Sequence, residues 1–433
     1  MPDTKANSRD FTILFLVMLT TGAGNTALQS VLPTIGRTLG VADSVIAAAF
    51  SVSAAIWVIA APIWARRSDR DGRREMVLMG LGGFVGSVAL CGLILTAGLH
   101  GWIGPVLTMI CFIGARMLYG IFGSAAPPAA QAMVALRTSR ANRTKALTML
   151  GSAFGLGTIL GPAAAPWLVG LPFVGFAGPA LIFAAGGAIV FWFAFMNLRD
   201  DGPEDIGRGA AISYPSIGGA PAGASITAAT SEQSSQPLPL TDKRIWPWML
   251  MGLMMGHAQA MTGQAIGFLV IDQLGLSLGE SQAAIGIVLM VGAGAALLVQ
   301  WGLIPLLNLP PRNMVIIGLV FAATGTGLTG MSESLYGIAC AYALACVGFG
   351  FTRPGFTAGS SLAVDRHLQG AVAGRVTSVN GAAFVLGPSI GVGLYEIYQP
   401  LPYFLSSAML ALLILYAMRA LKPPPGDANP EYD

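Results

Sequence analysis

Charged residues are scarce in this chain. Lysine, arginine, aspartate and glutamate together make up 10% of its 433 residues, whereas about a quarter is usual in soluble domains. Apolar residues make up 54%, and the mean hydropathy is +0.69. So little charge cannot cover a water-soluble surface, which excludes an ordinary soluble protein. The sequence contains instead a series of apolar runs, each of about twenty residues and long enough to cross a hydrocarbon core of ~30 Å.

The residues that metal and covalent chemistry need are also scarce. The three histidines, His100, His257 and His367, are far apart in the sequence. All four cysteines lie inside apolar runs, without the paired spacing of a disulfide framework. A G-x-x-x-x-G-K-[S/T] phosphate loop is absent, so direct use of ATP is not expected. The sequence therefore predicts no catalytic residues, no metal, no cofactor, no nucleic-acid partner and no enzyme activity.

The apolar runs predict an all-α membrane protein with twelve transmembrane helices, because helices satisfy their own backbone hydrogen bonds in lipid. The first run begins at Phe11 and continues past Leu28 without a small-residue cleavage site, so we interpret it as a membrane helix rather than a signal peptide. The predicted spans are 11–35, 44–65, 76–98, 105–134, 146–170, 176–197, 246–271, 281–304, 313–331, 335–362, 372–395 and 401–420.

Lysine and arginine fall mainly on one side of the predicted membrane. With both termini in the cytoplasm, 20 of the 23 basic residues lie on the cytoplasmic side. The exceptions are Arg37, which lies outside, and Arg116 and Arg353, which lie within predicted helices. Because basic loops are retained in the cytoplasm, this distribution predicts an even number of helices and cytoplasmic termini. The compact loops favour a cell inner (plasma) membrane.

A long polar segment divides the chain into two similar halves. Residues 198–245 are rich in glycine, alanine, serine, threonine and proline, which is typical of a flexible linker. The predicted domains are a six-helix bundle at 1–197, a cytoplasmic linker at 198–245, a second six-helix bundle at 246–421 and a cytoplasmic tail at 422–433. The motif FGLGTILGP, which ends at Pro162, recurs as NGAAFVLGP, which ends at Pro388. Two pseudosymmetric halves are typical of transporters with a site between them.

The segment after the second predicted helix has a distinctive order of charges. Residues 65–74 read ARRSDRDGRR and resemble the signature loop of the major facilitator superfamily, G-x-x-x-D-R-x-G-R-R/K. Alanine stands at the first position, where the family usually has glycine. The resemblance implies the major facilitator fold, transport by alternating access, and a latch at the cytoplasmic gate. A positive-inside anchor is the alternative interpretation. The matching positions are Asp69, Arg70, Gly72, Arg73 and Arg74.

The fifth predicted helix carries closely spaced glycines. Gly157, Gly161 and Pro162 resemble the antiporter motif of drug/proton exporters, G-x-x-x-G-P-x-x-G-G, although alanine and proline replace its last two glycines. The second half repeats part of this pattern at Gly387 and Pro388. The resemblance implies export. The same spacing also serves close helix packing in any membrane bundle.

Two arginines lie within predicted spans. Arg116, followed by Gly120, resembles an exporter motif, R-x-x-x-G-x-x-x-A, which is linked in that family to proton movement. A charge at the centre of a span costs at least ~2.5–3.5 kcal/mol, so Arg116 is expected to face a cavity or a partner. A hydrogen bond to neighbouring carbonyls is the alternative. Arg353 either lines the cavity or extends to the membrane surface.

Carboxylates are absent from the predicted helix centres, although multidrug exporters of this type usually bury one. Asp272, Glu280 and Glu396 lie at outer helix ends, as gate or loop candidates. His257 is either a proton carrier or a helix–helix hydrogen-bonding group. The predicted cavity residues, with the two arginines and His257, are Asn25, Gln29, Gln264 and Asn380.

We therefore predict a monomeric secondary transporter in a lipid bilayer, which exports a small organic compound or drug in exchange for protons. Two alternatives remain open. Arginines without carboxylates in the cavity would suit uptake or facilitated transport of an anionic metabolite. A transporter-like membrane sensor or scaffold would need an ordered partner-binding loop, which the low-complexity linker does not supply.

Overall fold

A computed structural model describes residues 4–138, 140–172, 174–200, 213–214, 223–224, 239–365 and 368–421. Within these ranges the chain forms two bundles of six long helices. The first contains α1 (Thr4–Leu39), α2 (Asp43–Asp71), α3 (Arg73–Leu99), α4 (Pro105–Leu118, continued by Ala126–Arg137), α5 (Arg140–Val169) and α6 (Gly178–Asn197). The second contains α7 (Trp246–Leu274), α8 (Leu278–Leu298, continued by Ile304–Leu307), α9 (Pro311–Met331), α10 (Leu335–Leu362), α11 (Gln369–Ile397) and α12 (Leu401–Ala420).

One short strand pair lies between the bundles. β1 (Ser213–Tyr214) pairs antiparallel with β2 (Gly223–Ala224). β1 lies against α2 and α11, and β2 lies against the second part of α4. Most of the predicted linker at 198–245, and all of the predicted tail at 422–433, lie outside the described residues.

Eleven of the described helices are long and apolar enough to cross a membrane. Large apolar side chains such as Ile59 and Leu412 are more than half exposed on them, as a lipid-facing surface requires. α7 is not among the eleven, although most of its residues are buried. Its polar side chains, His257, Gln259 and Gln264, lower its hydropathy, and both glutamines are buried inside the protein.

The fourth helix differs from the prediction of an unbroken span over 105–134. Its first segment passes into a π-helical turn at Tyr119–Gly123, and its second begins at Ala126. Pro127 and Pro128 therefore lie in the first turn of a helical segment, where the missing proline N–H removes no intrahelical hydrogen bond. The Trp64 indole N–H donates to the carbonyl oxygen of Ile121 at 2.5 Å, which satisfies a carbonyl within the π turn.

α2 and α3 meet at a single glycine. The segment 65–74 was predicted to be a loop, but it is helical on both sides of Gly72. Gly72 has φ 97° and ψ 151°, a backbone conformation that strongly favours glycine because a side chain would be strained there. The turn between the two helices therefore depends on this residue.

Glycines allow backbone-to-backbone helix contact at equivalent places in both bundles. A Cβ added at Gly157 in α5 would lie 2.5 Å from a backbone oxygen of α1, and one at Gly161 would collide with the Ala23 carbonyl oxygen. In the second bundle, a Cβ at Gly387 in α11 would lie 2.5 Å from the Cβ of Ala260 in α7. The α1–α5 pair thus corresponds to the α7–α11 pair, as the sequence repeat requires.

The bundles meet along two helix pairs, α2 with α11 and α5 with α8. A Cβ at Gly286 would lie 2.9 Å from the carbonyl oxygen of Pro162, and Pro388, its counterpart in the repeat, lies inside α11. The Ser389 hydroxyl donates to the Ser51 hydroxyl at 2.8 Å across α11 and α2.

We call the end of the molecule at which α1 begins the proximal end, and the end at which α1 ends the distal end.

A methyl group at Gly161 is expected to destabilise the fold. Gly161→Ala places a Cβ against the α1 backbone, which cannot withdraw, so the free energy of unfolding should fall by about 1–3 kcal/mol. The matched control is Gly151→Ala in the same helix, where nothing lies within 4 Å of the added Cβ. Thermal unfolding of the purified protein in detergent measures both. Equal unfolding temperatures for the two variants would contradict the close α1–α5 contact.

Candidate functional site

A cavity lies between the two bundles, walled by α1 and α5 from the first and by α7, α8 and α10 from the second. It holds about 550 Å³ of empty space, counted with its open mouth. Its lining comprises Thr26, Gln29, Thr158, Pro162, Gln259, Leu289, Gly292, Ala293, Ala296, Gln300, Tyr342, Cys346, Phe349, Gly350 and Arg353. A molecule in this cavity would contact both halves of the protein.

The polar part of the lining is uncharged except for one arginine. Gln29, Gln259 and Gln300 contribute amides, Thr26 and Thr158 contribute hydroxyls, and no aspartate or glutamate is present among the lining residues. The Oε1 atom of Gln259 is buried and has no hydrogen-bond partner among the described residues. Buried amides need a partner, because an unsatisfied polar group costs about 1–3 kcal/mol. The cavity is therefore suited to a ligand with hydrogen-bonding groups.

Arg353 supplies the positive charge of the cavity. It lies in α10, is 7% exposed, and has its guanidinium carbon 5.4 Å from the centre of the Phe384 ring. A guanidinium stacked on an aromatic ring in this way is held in place. The sequence left open whether Arg353 extends to the membrane surface; the structure places it in the cavity wall.

Glutamines also join the bundles beside the cavity. The Nε2 atom of Gln29 donates to the Oε1 atom of Gln264 at 3.3 Å. Further toward the distal end, Thr34 donates to the Oε1 atom of Gln282 at 3.3 Å, and the Nε2 atom of Gln282 donates to Ser30 at 3.5 Å. These bonds are neutral and long, so separating the bundles here costs little compared with breaking a packed apolar contact.

Arg116 lies in a separate, fully buried environment inside the first bundle. It is 2% exposed, and its Nη2 atom donates to the Oδ1 atom of Asn25 at 3.0 Å. Its guanidinium carbon lies 5.0 Å from the Phe50 ring centre and 4.9 Å from the Tyr119 ring centre. Its Nε and Nη1 atoms have no hydrogen-bond partner among the described residues. Arg116 and Asn25 are not part of the cavity lining.

The other two predicted cavity residues also lie away from the lining. The Nδ1 atom of His257 is 2.8 Å from the carbonyl oxygen of Leu253, one turn earlier in α7. Asn380 in α11 is 1% exposed, and its Oδ1 atom has no partner among the described residues. Of the predicted cavity residues, the structure brings Gln29 and Arg353 into the lining and places Gln264 against Gln29.

An arginine close after Gly72 binds the end of α6. The Nε atom of Arg74 donates to the carbonyl oxygen of Leu198 at 2.8 Å, and its Nη2 atom donates to that of Phe195 at 2.6 Å. A cation at a helix C-terminus is favoured by the helix dipole. Arg73 is 1% exposed. The side chains of the other two predicted latch residues, Asp69 and Arg70, lie outside the described part of the structure.

Sequence reasoning missed a second proximal contact. Asp10 in α1 is 1% exposed and accepts hydrogen bonds at 2.8 Å from both Arg137, at the end of α4, and Arg199, after α6. A buried carboxylate must be paired, so Asp10 fastens three helices of the first bundle together. It also missed Gln259 and Gln300, for which an amide within an apolar run was the available signal.

A family model described as Major Facilitator Superfamily matches residues 14–388. The chain belongs to the major facilitator superfamily, and it is a membrane transporter of that superfamily. This confirms the family and the fold class predicted from the sequence. Among the described residues, no group of three or more histidine, cysteine, aspartate and glutamate side chains could hold a metal ion.

Several solved structures share the fold. The human organic anion transporter MFSD10 (TETRAN) has a TM-score of 0.61 and 19% identity, over 96% of this chain and 100% of that chain. A bacterial homologue of the human lysosomal transporter Spinster, inward-facing and occupied, has a TM-score of 0.67 and 11% identity, over 95% and 96%. The nucleoside transporter NupG has a TM-score of 0.68 and 11% identity, over 96% and 100%.

A curated relative matches a shorter part of the sequence. Multidrug resistance protein 1 of Bacillus subtilis is 26% identical over 120 residues, which are 28% of this chain and 30% of that protein. The match thus spans less than a third of the relative's length.

The hydrogen bond between Asn25 and Arg116 is expected to be worth more than the one between Gln29 and Gln264. The first involves a buried charge, so a double-mutant cycle with Asn25→Leu and Arg116→Met should give a coupling energy of about 1.5–3 kcal/mol. The matched cycle with Gln29→Leu and Gln264→Leu should give about 1 kcal/mol or less. Unfolding in mixed detergent micelles measures both. A larger coupling for the glutamine pair would contradict this assignment.

Proposed function

We propose that this protein is a secondary active transporter that exports a small organic compound by alternating access, in exchange for protons. The observation that carries the proposal is the cavity between the bundles, because both halves supply its lining and its polar groups. Such a site can be exposed to one side or the other when the bundles rock against each other. The solute would bind to glutamine amides, threonine hydroxyls and the Tyr342 ring, with Phe349 supplying an apolar wall.

We propose that the protein lies in the inner (plasma) membrane of the cell. Its proximal end then faces the cytoplasm. The support is the concentration of arginines at that end, including Arg74, Arg137, Arg199 and Arg312. Basic residues on the cytoplasmic side are the general rule for membrane proteins. The two termini then lie in the cytoplasm, and a single chain contains both halves of the cavity, so a monomer suffices.

Two observations favour export. Gly157 and Gly161, which precede Pro162 in the antiporter-like motif, give α5 a close contact with α1. The Bacillus subtilis relative is named a multidrug resistance protein. Arg116 and His257 are the titratable or charged candidates for coupling to protons, although neither lines the cavity.

A second candidate function is the transport of an anionic solute. The observation that favours it is the cavity lining, in which Arg353 provides a positive charge and no carboxylate is present among the described lining residues. A carboxylate or phosphate on the solute would form a charge-assisted hydrogen bond with the guanidinium. A cationic solute would meet no opposite charge there.

Replacement of Arg353 separates the two candidates. If the solute is anionic, Arg353→Gln should raise its KM by about 10- to 100-fold, because a hydrogen bond to a charged group contributes about 1.5–3 kcal/mol. If the solute is neutral or cationic, its KM should change less than threefold or fall. The measurement is flux into proteoliposomes from a panel of anionic, neutral and cationic compounds, with pH recorded inside the vesicles.

The matched control is Arg244→Gln. Arg244 is a partly exposed arginine, paired with Asp242 at 2.9 Å in the segment before α7 and outside the cavity lining. Its replacement should leave KM unchanged. If an imposed proton gradient changes the flux of no transported compound, proton coupling is contradicted. If no compound in the panel is transported at all, the assignment as a transporter of small organic compounds is contradicted.

A further inference from the structure

Four helices meet in an ionic cluster at the distal end. Arg37, at the end of α1, donates from Nε and Nη2 to Asp43 in α2, at 2.8 and 2.6 Å. Its Nη1 and Nη2 atoms also donate to Asp272 in α7, both at 3.0 Å. The Tyr395 hydroxyl of α11 donates to Asp272 at 2.6 Å. The cluster joins the two bundles, because α1 and α2 belong to the first and α7 and α11 to the second.

Negative charge exceeds positive charge in this cluster. Beside Asp43 and Asp272, Glu396 of α11 accepts a hydrogen bond from the backbone N–H of Ser44 at 2.9 Å. Among the described residues, Asp43 and Asp272 thus share the guanidinium of Arg37, and Glu396 adds a third carboxylate beside Ser44. The Phe268 ring, with its centre 6.0 Å from the guanidinium carbon, adds no charge. Glu280, at the start of α8, is engaged locally, where it accepts a hydrogen bond from the Ser277 hydroxyl at 2.6 Å.

Separation of the bundles at this end removes the arginine partner of one aspartate but not of the other. Asp43 stays with Arg37, since both belong to the first bundle and are joined by two short hydrogen bonds. Asp272 moves with the second bundle and loses both guanidinium bonds, so that Tyr395 is its remaining partner in the cluster. Asp272 is then a carboxylate without the cation that neutralised it. Proton binding removes this unfavourable charge.

We propose that Asp272 is a proton-binding site that makes opening of the distal end sensitive to the pH outside. A proton from the distal solution adds to the Asp272 carboxylate when the end opens, and it returns to water when Arg37 binds the carboxylate again. Water can reach the site, since the side chain of Asp272 is 17% exposed and that of Arg37 is 33% exposed. The proposal rests on the alternating opening described under the proposed function. It does not require that the proton bound at Asp272 is the proton that is exchanged for the solute.

The direction of the effect follows from linkage. The open state binds a proton at Asp272 more readily than the closed state, in which Arg37 holds the carboxylate. Acid therefore favours the open distal end and alkali favours the closed one, by at most tenfold in the equilibrium for each pH unit. Asp272→Asn cannot form the ion pair and removes the titrating group, so its equilibrium should be open-shifted and insensitive to pH.

The experiment measures the distance between spin labels on either side of the cluster. Labels on Ala42→Cys, between α1 and α2, and Leu276→Cys, between α7 and α8, report the two bundles and lie on exposed positions. Cys111→Ser and Cys340→Ser remove the two native cysteines that are not buried. In lipid nanodiscs, the ratio of long to short distances should rise as the pH falls, by at most tenfold for each pH unit.

Two variants make the test specific. Asp43→Asn leaves Arg37 with Asp272 as its charged partner, so it should favour the closed state and lower the pH at which opening begins. Asp272→Asn should act in the opposite direction and abolish the pH response. Opposite shifts from two neighbouring isosteric changes cannot come from a general loss of stability. Asp242→Asn is the matched control, because it disrupts an aspartate–arginine pair that joins no helices.

The outcomes separate this proposal from the proposed function. Two distance populations that do not respond to pH, or a pH response that survives Asp272→Asn, would overturn the proton-binding role and leave alternating access intact. A single short distance in every variant and at every pH would overturn both. The predicted pattern, with opposite effects of the two aspartate variants and none from Asp242→Asn, supports both.

Discussion

The absence of water from the hydrocarbon core constrains this structure more than any other factor. A polar side chain within a helix that faces lipid has nothing to bond with, so it must face another part of the protein or a cavity. Asn25 accepts a hydrogen bond from Arg116, and Gln264 accepts one from Gln29. The amides that line the cavity can be satisfied by water or by a bound molecule. Their position between the bundles follows from this constraint.

Glycine contacts and polar contacts divide the molecule into parts of different rigidity. Within the bundles, α1 on α5 and α7 on α11 approach so closely that a single Cβ does not fit. Such packed contacts are not continuously deformable. Between the bundles, hydroxyl and amide pairs such as Ser51 with Ser389 and Gln29 with Gln264 contribute alongside apolar packing. The structure thus has two stiff units and an interface whose polar bonds can be exchanged for bonds to water, which is what rocking requires.

The fold was predictable from the sequence because the length and hydropathy of each apolar run are enough to predict a membrane-spanning helix. Eleven helices meet that description, and the repeat around Pro162 and Pro388 indicated two related halves. The breaks were harder to predict. The π turn after Leu118 contains the carbonyl that accepts from Trp64, a residue far away in the sequence, and the turn between α2 and α3 requires the backbone torsion of Gly72. Neither leaves a periodic signal.

The site was predictable only in part, because its geometry depends on pairs that are distant in sequence. A polar residue in an apolar run signals that it faces inward, and this identified Gln29 and Arg353. It does not say which partner it faces. Arg37 and Asp272 are 235 residues apart, and neither stands out as a member of a cluster when the chain is read in order. Arg116 shows the converse, since an expensive buried charge was expected to face a cavity or a partner, and the structure places it against Asn25.

The central claim is that transport requires the two bundles to move apart at the distal end. A disulfide between Ser51→Cys in α2 and Ser389→Cys in α11, whose native hydroxyl oxygens are 2.8 Å apart, tests it directly in a background in which Cys111 and Cys340 are replaced by serine. Flux into proteoliposomes is measured before oxidation, after oxidation and after reduction. The account predicts that oxidation abolishes flux and that reduction restores it. Full flux through the cross-linked protein would contradict it.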